Sequence, residues 1–163
     1  MSLAIRAVVS GDVPVVLGFV RELAEYEREP DAVVATEALI HAALFGEGHV
    51  AYGLIASLDD APVGFALYFF NFSTWLGRPG LYLEDLYVTP EARRAGVGRA
   101  LLTHLAQVAV DRNCGRMEWA VLNWNQPAID FYRSLGALAQ DEWTVYRLTG
   151  KTLQDLARRA PPD

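Results

Sequence analysis

The chain has 163 residues, 52% of them hydrophobic and 21% charged, a balance that describes a globular protein with one core and argues against disorder. Its net charge of −6 and pI of about 5.0 argue against a nucleic-acid partner, which needs clustered lysine and arginine, and favour a cationic one. Cys114 is the single cysteine and cannot close a disulfide within the chain, which points to a reducing compartment.

Residues 3–9 are interrupted by Arg6 and followed at once by Asp12, so no secretory leader is expected here. The longest apolar stretch, 63–70, falls far short of the roughly 18 residues that cross a bilayer, and the chain reads as cytoplasmic with no membrane partner. Alternation over 4–8 predicts a first strand. Ser10, Gly11 and Asp12 supply a helix start with Pro14 tolerated in the first turn. Val13, Val16, Leu17, Val20, Leu23 and Ala24 then recur at helical spacing as far as Tyr26, and Glu29, Pro30 and Asp31 stop the helix. Thr36 can cap a second helix that buries Leu39, Ile40, Ala43 and Leu44. Three strands follow at 50–58, 62–70 and 81–88, the first two joined by a hairpin turn. Residues 97–112 carry one apolar helical face, 116–122 reads as a buried strand, and 126–135 as a short helix closed by Gly136. A final strand at 142–148 and a terminal helix at 152–159 precede a Pro-rich tail from Ala160. The order β-α-α-β-β-β-α-β-α-β is that of a single α/β (α+β) domain with its core over about 4–158, without the regular alternation of a doubly wound sheet.

The strongest local feature is Arg93-Arg94-Ala95-Gly96-Val97-Gly98, between a strand and a long amphipathic helix. Two glycines let the backbone pass close to a ligand, the first helical N–H groups lack partners, and Arg93, Arg94 and Arg99 add charged donors, a combination suited to a pyrophosphate. Taken alone, the same residues also describe a glycine turn with solvated arginines. The glycine spacing is not that of a Rossmann fingerprint, and no acidic ribose binder follows.

Following Leu81-Tyr82-Leu83-Glu84-Asp85-Leu86-Tyr87-Val88-Thr89-Pro90, the Arg93-x-x-Gly96-x-Gly98 pattern resembles the acetyl-CoA motif of GNAT acetyltransferases. Asn123-Trp124-Asn125-Gln126-Pro127-Ala128-Ile129-Asp130-Phe131-Tyr132, ending at Leu135-Gly136-Ala137, resembles that superfamily's second cofactor segment. Glu22-Leu23-Ala24-Glu25-Tyr26-Glu27, Thr36-Glu37, Phe45-Gly46 and Trp75-Leu76-Gly77 are similar to the spermidine/spermine (diamine) acetyltransferase family. The resemblance implies a mixed, mostly antiparallel sheet splayed at two central parallel strands. It also implies acetyl-CoA as co-substrate, a small cationic amine as acceptor, no metal, and a homodimer with its sites near the subunit interface. Backbone at Leu86, Tyr87 and Val88 would then meet the pantetheine arm, and Arg93, Arg94, Ala95, Gly96, Val97, Gly98 and Arg99 the pyrophosphate. Asn125 would bond the pantetheine, Tyr132 would protonate the departing thiolate, and Tyr26, Glu27, Glu84 and Asp85 would meet the amine. Arg94 stands where the diamine acetyltransferases commonly carry glycine, the stretch before Trp143 is shorter than theirs, and 121–126 is as similar to the thialysine-acetylating branch.

An amine of pKa near 10.4 is free base in about one molecule in 2,500 at pH 7, so exposing its lone pair costs roughly 4.6 kcal/mol. Glu84, at an ordinary carboxylate pKa of about 4.3, needs a water relay or a raised pKa to serve as base; otherwise it binds cation only. Tyr132 offers an acid of pKa about 10 to a thiolate whose conjugate acid lies near 8.5, a transfer that becomes favourable as the thioester bond breaks. Each residue also has a plainer reading: Tyr132 as a core aromatic, Glu27 as a solvated helix end, Glu84 as half of an ion pair with an arginine. His41, His49 and His104 have no metal-ligand spacing. Acceptors compatible with the chain are a polyamine or diamine and a thialysine- or lysine-like amino acid; a non-catalytic acetyl-CoA-binding module is the alternative from another class.

Overall fold

The computed structural model describes residues 1–159; the tail from Ala160 lies outside them. Five strands, β1 (Leu3–Ala7), β2 (Tyr52–Leu58), β3 (Ala61–Ser73), β4 (Arg78–Val88) and β5 (Met117–Glu118), form one sheet in chain order. All neighbours are antiparallel except β4 and β5. The helices are α1 (Val13–Tyr26), α2 (Glu37–Phe45), α3 (Val97–Asp111), α4 (Gln126–Ser134) and α5 (Gly150–Arg158). The chain divides into two compact units, residues 1–122 and the segment from Asn123 onward.

The first unit holds the sheet. Asp59 and Asp60 both take left-handed φ values (47° and 69°), the pair of conformations that lets a two-residue turn follow the twist of β2 and β3. Asp12, ahead of α1, accepts two bonds from the Arg6 guanidinium (2.6 and 2.9 Å) and one from the Val9 N–H (2.8 Å), which ties β1 to the helix start. Arg6 and the Val9 amide hold the Asp12 carboxyl below its ordinary pKa. Thr36 caps α2 by accepting from the Leu39 N–H at 3.2 Å. Helix α1 ends because Arg28 turns to φ 64° and Pro30 follows.

Val13, Val16, Leu17, Phe19 and Leu23 of α1 bury themselves with Ile55, Phe65 and Tyr87 on one face of the sheet, where the Phe19 and Phe65 rings stack at 5.8 Å. Leu54, Ala56 and Ala66 alternate with these and so face the other way, toward α3, which buries Val97, Leu101, Leu102, Leu105 and Ala109.

Two expected strands differ from the sequence reading. The strand expected over 116–122 pairs only through Leu81 with Met117 and Tyr82 with Glu118, after which β5 leaves β4. Residues 142–148 form no strand and are exposed throughout, so the parallel pair stands at the edge of the five-stranded sheet.

In the second unit, Asn125 caps α4, its Oδ1 accepting from the Ala128 N–H at 3.4 Å, and Gly136 at φ 90° closes the helix. Helix α5 carries an exposed Lys151–Asp155 ion pair (2.6 Å) one turn apart. Among the described residues no helix is long and apolar enough to cross a membrane.

Candidate active site

The site begins with an extra residue in β4. The β3–β4 register runs Leu67 opposite Asp85, then Tyr68 opposite Leu83, which leaves Glu84 as a bulge with no partner across the ladder. One inserted residue reverses the alternation of both side chains and amides. Before it, the Leu81 N–H bonds Arg116 O on the β5 side (3.0 Å); after it, the Thr89 N–H bonds Val63 O on the β3 side (2.8 Å). Counting back by twos from Thr89, the amides of Tyr87 and Asp85 face β3, while those of Leu86 and Val88 face the opposite edge. That edge pairs with β5 only at Leu81 and Tyr82. The splay therefore leaves the Leu86 and Val88 amides on a stretch of β4 beyond its pairing with β5.

The bulge also gathers carboxylates. Asp85 lies opposite Leu67 and so shares the α1 face with Tyr87, toward the last turn of α1 and Glu27. Burial, reinforced by Glu84 and Glu27, pushes the Asp85 carboxyl up to about 6. Burial and the charge of Glu84 likewise raise Glu27, which is half-buried rather than a solvated helix end. Glu84 itself is exposed, and among the described residues it has no ion pair with an arginine. Repulsion among Glu27, Glu84 and Asp85 thus adds to burial in raising the Glu27 and Asp85 carboxyls.

The loop after β4 divides its arginines. Arg93 turns back: its Nε–H donates to the Val88 carbonyl (3.1 Å), and its guanidinium lies over the rings of Tyr26 (5.1 Å) and Tyr87 (5.7 Å). The Tyr87 hydroxyl in turn donates to Glu22 Oε1 at 3.3 Å. Arg93, Arg94 and Arg99 are all exposed, and Arg94 holds a left-handed φ of 77°, which explains why glycine suits that position. Gly96 follows at φ 79°, and a Cβ built on it would meet nothing within 4 Å. Ala100 is the first residue of the helix start to bond a carbonyl (Gly96 O, 3.0 Å), so the amides of Val97, Gly98 and Arg99 lead α3 without intrahelical acceptors.

In the second unit Asn125 and Tyr132 share α4, Asn125 buried at its start and Tyr132 half-buried two turns on, its ring 5.7 Å from that of Phe131.

The profile of the acetyltransferase (GNAT) family matches residues 17–137. The chain belongs to the GNAT acetyltransferase family. It is similar to the thialysine N-epsilon-acetyltransferase of Sus scrofa, 41% identical over 167 residues covering 96% of this chain and 98% of that protein. A human spermidine/spermine N(1)-acetyltransferase-like protein 1 is 37% identical over 94% of this chain, which spans 23% of that longer protein. Among solved structures, an integron cassette protein from the mobile metagenome of V. cholerae superposes with a TM-score of 0.82 at 32% identity, covering 98% of this chain and 99% of that one. The protein is thus an N-acetyltransferase with the GNAT fold, and members of the family use acetyl-CoA.

The α3 start fits that donor in kind: free leading amides, a glycine whose missing Cβ leaves open space, and two exposed arginines suit the phosphates of a GNAT co-substrate. Sequence reasoning missed Glu22, which anchors the Tyr87 hydroxyl, and the raised proton affinity of Asp85. Glu22 does lie one helical turn before Tyr26, but nothing in the sequence pairs it with a residue 65 positions away.

Proposed function

We propose that the protein transfers acetyl from acetyl-CoA directly to a primary amine of a small polyamine or diamine. The observation that carries this reading is the cluster of Glu27, Glu84 and Asp85 at the bulge, which matches a linear polycation and repels an anionic acceptor. Acetyl-CoA, when bound, supplies an acyl thioester whose carbonyl carbon accepts the amine. The Leu86 N–H polarises the thioester oxygen, with Tyr87 and Val88 backbone beside it, and Arg94, Ala95, Gly96, Val97, Gly98 and Arg99 hold the phosphates. Tyr26, Glu27 and Glu84 hold the amine's cationic end. Asp85, with its proton affinity raised toward neutrality, is better matched than an ordinary carboxylate to receive the amine's proton, directly or from a water held by Glu84. Asn125 orients the pantetheine arm and Tyr132 delivers a proton to the leaving thiolate.

The thialysine acetyltransferases among the relatives favour a second acceptor, a lysine-like amino acid acetylated on its side-chain amine. Such a zwitterion needs a cation for its carboxylate, whereas a polyamine meets carboxylates throughout. Competition of spermidine against thialysine in one reaction, with products resolved by mass, separates the two. Spermidine is expected to give the higher kcat/KM, and preference for thialysine would move the substrate while keeping the chemistry.

Both units act as one catalytic domain in this reading, in a cytoplasmic homodimer. The family profile, over residues 17–137, runs through the first unit and into the start of the second. Leu138, Val145 and Tyr146 are 82%, 86% and 94% exposed, a run of apolar side chains that a second copy would cover.

Arg94 gives a separate expectation. Arg94→Gly relieves left-handed strain of about 1 kcal/mol, so the variant melts no lower than the parent. The lost surface charge raises the acetyl-CoA Kd about threefold, as expected for an exposed ion contact. Calorimetry and thermal unfolding measure both.

A further inference from the structure

We infer that Arg93 is a positioning residue that couples the end of β4 to the amine site, and not a ligand of the co-substrate's phosphates. Its guanidinium is committed elsewhere. The Nε–H bonds the Val88 carbonyl at 3.1 Å, and the plane lies within cation–π range of Tyr26 (5.1 Å) and Tyr87 (5.7 Å). Val88 belongs to the stretch of β4 whose outward amides lie beyond the pairing with β5. Tyr26 is the last residue of α1 and precedes Glu27, the helix's contribution to the acidic cluster. Tyr87 is itself anchored on α1 through Glu22 at 3.3 Å. Arg93 therefore links two elements: the strand end proposed to receive the thioester and the helix end proposed to receive the amine. Arg93 is as exposed as Arg94 and Arg99, but its stacking and Nε–H bond turn it back, and Arg94 and Arg99 on either side of Gly96 are left for the phosphates.

This inference rests on the acetyl-transfer reading above. Arg93→Lys keeps the positive charge but loses the planar stack and the Nε donor, so it separates bracing from phosphate attraction. The expected result is an amine KM raised about tenfold or more, with the acetyl-CoA Kd, measured by calorimetry without amine, within about twofold of the parent. In a Tyr26→Leu background, where the stacking partner is gone, Arg93→Lys raises the amine KM no further, and a full additional tenfold rise there would overturn the coupling through Tyr26. An acetyl-CoA Kd raised about tenfold in Arg93→Lys with the amine KM unmoved would assign Arg93 to the phosphates and overturn the inference. If the parent protein turns over no amine, the acetyl-transfer reading fails by itself. The Arg93 assignment is then decided by acetyl-CoA affinity alone: an unchanged Kd upholds it and a tenfold loss overturns it.

Discussion

Tyr132→Phe lowers kcat by about two orders of magnitude or more, the usual contribution of a positioned general acid, and leaves the acetyl-CoA Kd within about twofold. The substitution removes one oxygen and keeps the ring, so the packing of Tyr132 beside Phe131 on α4 is retained. Direct attack on a thioester leaves a thiolate of conjugate-acid pKa near 8.5, and the tyrosine hydroxyl is the proton source assigned to it. Because the proton is needed only as the bond to sulfur breaks, the loss falls on kcat rather than on binding. Steady-state kinetics with calorimetry on the same preparation measures both quantities. Unchanged turnover would mean that the thiolate leaves unprotonated or takes its proton from water.

Asp85→Asn has the second large effect, a fall in kcat/KM for the amine of roughly a hundredfold, matching the loss of a charged, partly buried hydrogen-bond partner worth about 2–3 kcal/mol. Its pH signature is specific. Asp85 titrates at about 6 in the unliganded protein, so below that pH the cluster has lost a charge and binds cation less well. For a permanently charged diammonium ligand, whose own charge does not titrate, the Kd rises as pH falls through about 6 and is flat above it. In Asp85→Asn the transition near pH 6 is lost, and only the titration of the remaining carboxylates, Glu27 among them, is left. The effect on folding has the opposite sense. The folded carboxyl sits above its ordinary value of 3.8, so the unfolded chain releases this proton first as pH rises. Stability contributed by the neutral form is present below pH 3.8 and is lost as pH climbs to about 6. The asparagine variant therefore melts higher than the parent at neutral pH in the absence of ligand. A variant that loses amine activity and also melts lower would mean that Asp85 is a structural residue.

Much of this was legible in the residues. Helix α1, with Val13, Val16, Leu17 and Leu23 on its buried side, the Thr36 cap and the Gly136 closure were each fixed by local chemistry and appear where expected. The turn into α3 at Gly96 was legible for the same reason, since left-handed backbone and free helix amides are properties of a few consecutive residues. Relations across the sheet were not. A bulge at Glu84 leaves no mark in the alternation of Leu81-Tyr82-Leu83-Glu84-Asp85-Leu86, because charged residues on both sides of the slip conceal it. The consequence is that the raised carboxyl falls on Asp85 and that the Leu86 amide faces the outer edge. Arg93 was grouped with its neighbours by position, yet its partners Tyr26 and Tyr87 come from α1 and β4. Residues 142–148 carry a strand pattern but form no strand, because alternation records a preference and not a pairing.

Amine-dependent release of free CoA thiol from acetyl-CoA, with products identified by mass, tests the assigned chemistry most directly. Spermine, spermidine, putrescine, thialysine and lysine are offered in turn. The expected result is stoichiometric thiol and N-acetylated amine, greatest with spermidine or spermine and absent when the amine is omitted. Acetyl-CoA that binds by calorimetry yet yields no thiol with any of these amines would contradict acetyl transfer to a small cation.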